Sequence, residues 1–116
     1  MPTHNQIDLV EFPAADAAAL AASRAFYESA FAWTFTDYGA YIDTSSSGTV
    51  FGVNGINDDR QQRMPMVVVY ADDLEAARER VIAAGGALIH DIYVFPGGRR
   101  FHFADPAGNE LAVWSE

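Results

Sequence analysis

The chain alternates between runs that read as strands and runs that repeat at helical spacing. Residues 6–13, Gln6-Ile7-Asp8-Leu9-Val10-Glu11-Phe12-Pro13, form a strand-like run that proline stops. A helix is predicted next, from about Asp16 to Phe31. Leu20, Phe26, Tyr27, Ala30 and Phe31 recur on its core face, and Arg24 and Glu28 sit four apart on the solvated side. The pattern then restarts with Pro65-Met66-Val67-Val68-Val69-Tyr70-Ala71. Asp72 and Asp73 offer a helix N-cap there, with Glu75 three residues after Asp72 as in a capping box. Leu74, Ala77, Val81 and Ile82 give the second apolar stripe, and Gly85-Gly86 supplies the left-handed exit. Short strands are expected after each helix, at 33–35, 40–43 and 49–53 in the first half and at 87–89, 100–104 and 110–114 in the second.

The order is therefore βαβββ twice, an α+β chain with one module over about 5–55 and another over about 64–116. The polar residues 54–63 join them. The halves share pattern rather than letters. Such a repeat predicts two small sheets that join into one domain, with a helix on the outer side of each and a concave inner face open to ligand. Asp105-Pro106-Ala107-Gly108-Asn109 closes the last hairpin with turn chemistry: Pro106 presets φ, Gly108 and Asn109 tolerate positive φ, and Asp105 can accept from neighbouring amides.

Composition narrows the function classes. The 116 residues suit one compact domain, and no apolar run is long enough to span a membrane. The Ala-rich stretch 14–22 contains Asp16 and lacks a basic leader, so it does not read as a signal sequence, and a cytoplasmic location is expected. There is no cysteine, hence no disulfide and no thiolate ligand or nucleophile. Net charge is −9 with seven basic residues scattered, which excludes phosphate-backbone binding and so a nucleic-acid partner. The acidity is compatible with a cationic ligand, although ordinary solubilising charge accounts for it more simply. Gly97-Gly98 beside Arg99-Arg100 precedes a strand rather than opening a helix, so it reads as a turn and not as a phosphate cradle. Ser45, Ser46 and Ser47 have no histidine at nucleophile spacing.

Several motifs, in this order and spacing, carry a resemblance. They are Glu11-Phe12-Pro13, Phe26-Tyr27-x3-Phe31-x-Trp33, Ala71-Asp72-Asp73-Leu74, Ala83-Ala84-Gly85-Gly86, Pro96-Gly97-Gly98-Arg99-Arg100 and the Asp-Pro-x-Gly-Asn hairpin. Over nearly its whole length the chain resembles the glyoxalase / bleomycin-resistance / dioxygenase proteins, the vicinal oxygen chelate superfamily. Two departures stand out: Ala32 replaces the glycine of the family's Phe-Gly-Trp, and a few extra residues precede Phe26. The resemblance implies paired βαβββ modules forming an open, cup-shaped sheet, joined within one chain or swapped between two, and a homodimer.

The resemblance also says where metal ligands stand in metal-using members. Two lie seven residues before the Asp that opens each helix, and one lies on the closing strand. Here those positions are Leu9, Met66 and Ala112, none of which can ligate a divalent metal, and the strands around 41–53 offer no His or Glu. No metal and no other cofactor is expected at the inherited site. Alternation places Glu11 with Leu9, which the resemblance puts on the inner face. Met66, Val68 and Tyr70, and Ala112 and Trp114, line the same face from the other module. His102 joins them if Phe101 and Phe103 pack under the helix. His90 ends its strand and His4 lies in a loose N-terminus, and these histidines do not show the spacing of a metal cluster.

The leading expectation is a metal-free small-molecule binder resembling the bleomycin-resistance branch. Its aromatic and thioether lining suits a flat or apolar ligand. The alternative is that the same side chains simply fill a collapsed cup, with Glu11 held by its neighbours rather than reserved for ligand. Two alternatives remain. One is an enzyme of lyase or dioxygenase type, with relocated ligands drawn mainly from Glu11, His90 and His102, or with Glu11 as base. The other is an interaction domain with a vestigial cup.

Overall fold

The computed structural model describes residues 2–116. Among these the elements run β1 (Gln6–Pro13), α1 (Ala17–Phe31), β2 (Thr36–Asp37), β3 (Tyr41–Thr44) and β4 (Phe51–Asn54). They continue with β5 (Met66–Tyr70), α2 (Leu74–Ala83), β6 (Ala87–Phe95), β7 (Gly98–Ala104) and β8 (Glu110–Ser115). This is βαβββ twice, an α+β chain. Two compact units are present. One is Leu9–Pro65; the other is Met66–Glu116 together with the chain up to Asp8.

In the first unit β1 pairs parallel with β4, β4 antiparallel with β3, and β3 antiparallel with β2. Helix α1 starts where Asp16 accepts from Ala19 N at 2.8 Å. It ends at Ala32, whose φ of 57° is left-handed. That conformation explains why glycine belongs there in the resembling proteins: a Cβ is penalised in it. Leu20, Ile42, Phe51 and Val53 are buried beneath the helix, with Phe12, Tyr27, Trp33 and Phe35 packed on them. Each such fully buried apolar side chain contributes roughly 1.5–3 kcal/mol. Three expected core residues of α1 lie elsewhere. Ala30 is exposed, and Phe26 and Phe31 are 60% and 57% exposed, because only the Leu20–Tyr27 stripe meets the narrow four-stranded sheet.

The second unit repeats the plan: β5 parallel with β8, β8 antiparallel with β7, and β7 antiparallel with β6. Asp73, not Asp72, caps α2, accepting from Ala76 N at 3.0 Å. The expected capping box of Asp72 and Glu75 therefore does not form, and Glu75 pairs with Arg99 instead. Leu74, Ala77, Phe101 and Val113 are buried under α2, joined by Val69, Val81 and Phe103. Ile82, expected in that stripe, is 51% exposed. The chain start is tied to this unit by Asn5 N–H to Tyr70 O at 2.8 Å and by Trp114 Nε1–H to Asp8 Oδ2 at 3.1 Å. Gly108, at φ 92°, turns the last hairpin. Asp105 Oδ1 accepts from Ala107 N and Asn109 N, and the Asn109 side chain, followed by these amides, holds its carboxyl below the usual range.

Two strand expectations shift. Residues 33–35 are not a strand: Trp33 and Phe35 turn into the core, and the strand is Thr36–Asp37. The segment expected at 87–89 is a nine-residue strand reaching Phe95, so His90 lies within it and not at its end.

Candidate functional site

In the second unit, strand register sorts side chains onto two faces. Phe101, Phe103 and Val113 go under α2, so His102 faces the other way, as the alternation Phe-His-Phe predicts. On that other face two rows cross all four strands. The first is Val68, Ala112, His102 and His90; the second is Tyr70, Trp114, Arg100 and Tyr93. The expected residues Val68, Tyr70, His102, Ala112 and Trp114 thus stand side by side, with Met66 one step along β5 from Val68. Met66, Val68, Tyr70, Ala112 and His102 are buried and Trp114 is half-buried. Trp114 makes edge-to-face contacts with Tyr70 at 5.1 Å and Phe95 at 6.2 Å, ring centroid to ring centroid. The Tyr70 hydroxyl titrates above its usual range, first through desolvation and then through the carboxylate of Glu116.

The polar part of this face is a connected chain. Arg100 Nε–H donates to Tyr93 Oη at 2.6 Å, and Tyr93 Oη is 2.6 Å from His102 Nε2. His102 Nδ1 is in turn 2.7 Å from Glu110 Oε2. With Nδ1 carrying the proton, Glu110 accepts from it and Nε2 accepts from the tyrosine. His102 is fully buried, and desolvation pushes its pKa down against the pull of Glu110. The ring of His90 lies 5.0 Å from that of His102. Donor atoms of His90, His102 and Glu110 all fall within 4.8 Å of one another.

Register shifts in β6 build this cluster. One lies between Leu88 and His90 and another between His90 and Tyr93. Each adds a residue and re-aims the next side chain, so His90 and Tyr93 share a face that simple alternation would deny them. Asp91 pins the second bulge, accepting from Ile92 N and from Arg78 Nη1, both at 2.7 Å. Those two donors keep its carboxyl below the ordinary value. Glu110 and Arg100 were legible in principle, two residues from Ala112 and His102 on alternating strands. Tyr93 was not, because no letter in the sequence marks a bulge.

In the first unit Glu11 also faces away from its helix and is 1% exposed. Its carboxylate accepts from Tyr41 Oη at 2.8 Å and Gln62 Nε2 at 3.1 Å. The tyrosine ring reaches it by lying over Gly52, the cross-strand neighbour of Glu11, where any Cβ would collide with the hydroxyl. This gives Glu11 a structural role. Gln62 Oε1 is buried and, among the described residues, finds no hydrogen-bond partner. Burial raises the carboxyl of Asp43, next along the Gly52 row, against a bond from Tyr38. Leu9 is half-buried.

The inherited metal positions do not fit a metal. Leu9, Met66 and Ala112 offer hydrocarbon or a thioether, not the imidazole or carboxylate such an ion needs.

The glyoxalase-like domain family matches residues 13–114. The chain belongs to that family. A curated relative, the anthracycline biosynthesis protein DnrV of Streptomyces peucetius, is 36% identical over an alignment of 117 residues. The alignment covers 82% of this chain and 42% of the relative, so the chain spans less than half of that protein's length. A glyoxalase/bleomycin resistance protein/dioxygenase superfamily member from Vibrio splendidus 12B01 has the same fold, with TM-score 0.66, 12% identity, and 93% and 97% of the two chains covered. Methylmalonyl-CoA epimerase from Mycobacterium tuberculosis is comparable, with TM-score 0.67, 14% identity, and 98% and 91% covered. A glyoxalase-like chain of this kind is a small-molecule-binding or enzyme-like member of its family. No helix among the described residues is long and apolar enough to cross a membrane.

Proposed function

We propose that this glyoxalase-like protein binds a flat aromatic small molecule, calling on no metal at the family's inherited positions, in the manner of bleomycin-resistance-type sequestration. The supporting observation is the face of the second unit where Trp114 meets Tyr70 and Phe95 beside Met66, Val68 and Ala112. Aromatic edges and a thioether around a small residue suit a planar apolar ligand, and the half-buried indole is placed to report on it. The relative named for anthracycline biosynthesis directs the choice of ligand class toward a polycyclic aromatic that carries an amine. The net charge of −9 favours the cationic form. The protein would act as a cytoplasmic homodimer.

Titration with an anthracycline, followed by indole fluorescence, tests this reading. Saturable quenching that disappears in Trp114→Leu and persists in Trp33→Phe is the expected result. Failure to saturate at any soluble concentration sinks the binding proposal.

One observation favours a second reading, an enzyme with a ligand set away from the inherited positions. His90, His102 and Glu110 converge on one sheet face.

A further inference from the structure

We propose that His90, His102 and Glu110 form a binding site for one divalent transition-metal ion, of which Zn2+ and Co2+ are the simplest probes. The site lies on β6, β7 and β8 and uses none of the inherited positions. It does not depend on the aromatic-ligand reading.

The donor set is two imidazoles and one carboxylate, which suits borderline ions such as zinc and cobalt and leaves a coordination position for water or substrate. His90 and His102 are direct cross-strand partners, and Glu110 reaches His102 from the third strand. Their donor atoms already lie within 4.8 Å of one another. Around an ion with bonds of about 2.1 Å, donors sit roughly 3.3 Å apart. Side-chain rotation on a fixed sheet closes that gap.

The surroundings supply what such a ligand requires. A metal-bound imidazole is oriented by the hydrogen bond its other ring nitrogen donates. His102 Nε2 is 2.6 Å from Tyr93 Oη, and Arg100 Nε–H donates to that same oxygen. Without metal, Nδ1–H points at Glu110 and Nε2 accepts from the tyrosine. On loading, Nδ1 and the Glu110 oxygen turn to the ion. The ring proton then resides on Nε2 and is donated to Tyr93 Oη, whose own hydrogen turns away. Both lone pairs of that oxygen are then used, one by His102 and one by Arg100. The β6 bulges carry His90 and Tyr93 to this face together, so one backbone feature places a ligand and the group that orients another.

The experiment is titration of the full, chelator-stripped chain with Co2+, reading visible d–d absorption, and with Zn2+ in competition. The wild-type chain is expected to take up one ion and to melt at a higher temperature when loaded. His90→Ala and Glu110→Gln should each lose at least tenfold in affinity. Both leave the buried His102 in place, and circular dichroism confirms that they fold. His4→Ala removes an imidazole that pairs with Asp72 at 3.7 Å and is not one of the three converging donors, and it should bind as wild type does. No saturable uptake by the folded wild-type chain overturns the proposal, as does undiminished affinity in either His90→Ala or Glu110→Gln. In that case the cluster is a hydrogen-bonded network and nothing more.

Discussion

Glu11 in the first unit and His102 in the second occupy comparable places. Each is buried, each lies on the sheet face turned from its helix, and each takes a tyrosine hydroxyl. Their settings differ. Glu11 is met by Tyr41 and a glutamine amide, and Gly52 gives the tyrosine ring room to reach it. His102 is met at both nitrogens by groups that can themselves move a proton, and the connection continues to a guanidinium. A buried charge whose partners serve to hold it still is a structural feature. A buried imidazole with a titratable neighbour on each side, beside a second imidazole, has chemistry to spare.

The largest effect should come from filling the space that makes the Glu11 arrangement possible. Gly52→Val places a branched side chain where Tyr41 lies, forcing the ring off the carboxylate. Overpacking and the weakened partnering of a buried charge together should cost about 3–5 kcal/mol. Thermal denaturation followed by circular dichroism measures it. A loss below about 1 kcal/mol would mean that Tyr41 moves aside freely and that Glu11 does not need it.

The two tyrosines sharpen the contrast. Tyr41→Phe removes one hydroxyl from one acceptor and should cost about 1–2 kcal/mol. Tyr93→Phe leaves both His102 Nε2 and Arg100 Nε without that oxygen, in a place where the imidazole is fully buried and the guanidinium nearly so. About 2–3 kcal/mol is expected there. Urea denaturation of the pair gives the order directly, and equal losses would show that Tyr93 is no more deeply committed than Tyr41.

The same contrast marks how far the sequence could be read. The repeat, both helices and the closing hairpin were legible because they rest on local rules: apolar spacing, Asp at an N-cap, Pro and Gly in turns. The face of His102 was legible from Phe101 and Phe103 on either side of it. The convergence of His90 with Glu110 was not, since it depends on register across three strands and on two extra residues in β6. Phe26 and Phe31 misled for a related reason. Helical spacing names an apolar stripe, but the width of the sheet decides how much of that stripe is covered.

The smallest effect concerns how the two helices end. α1 stops at Ala32 with φ 57°, and α2 is followed by Gly85 with φ 103°. Both backbones are left-handed, but only one carries the residue suited to it. In Ala32→Gly the released Cβ penalty of roughly 1–2 kcal/mol is partly cancelled by the greater freedom of glycine in the unfolded chain, which costs about 0.4–1 kcal/mol. A net gain of about 0.5–1 kcal/mol follows. Gly85→Ala should lose about the same, and it is a clean probe, because an added Cβ there would meet nothing within 4 Å. Equal and opposite shifts in denaturation midpoint would show that the two helix ends differ only in backbone conformation. A loss in Ala32→Gly would instead show that the alanine methyl makes a contact worth more than the strain it bears.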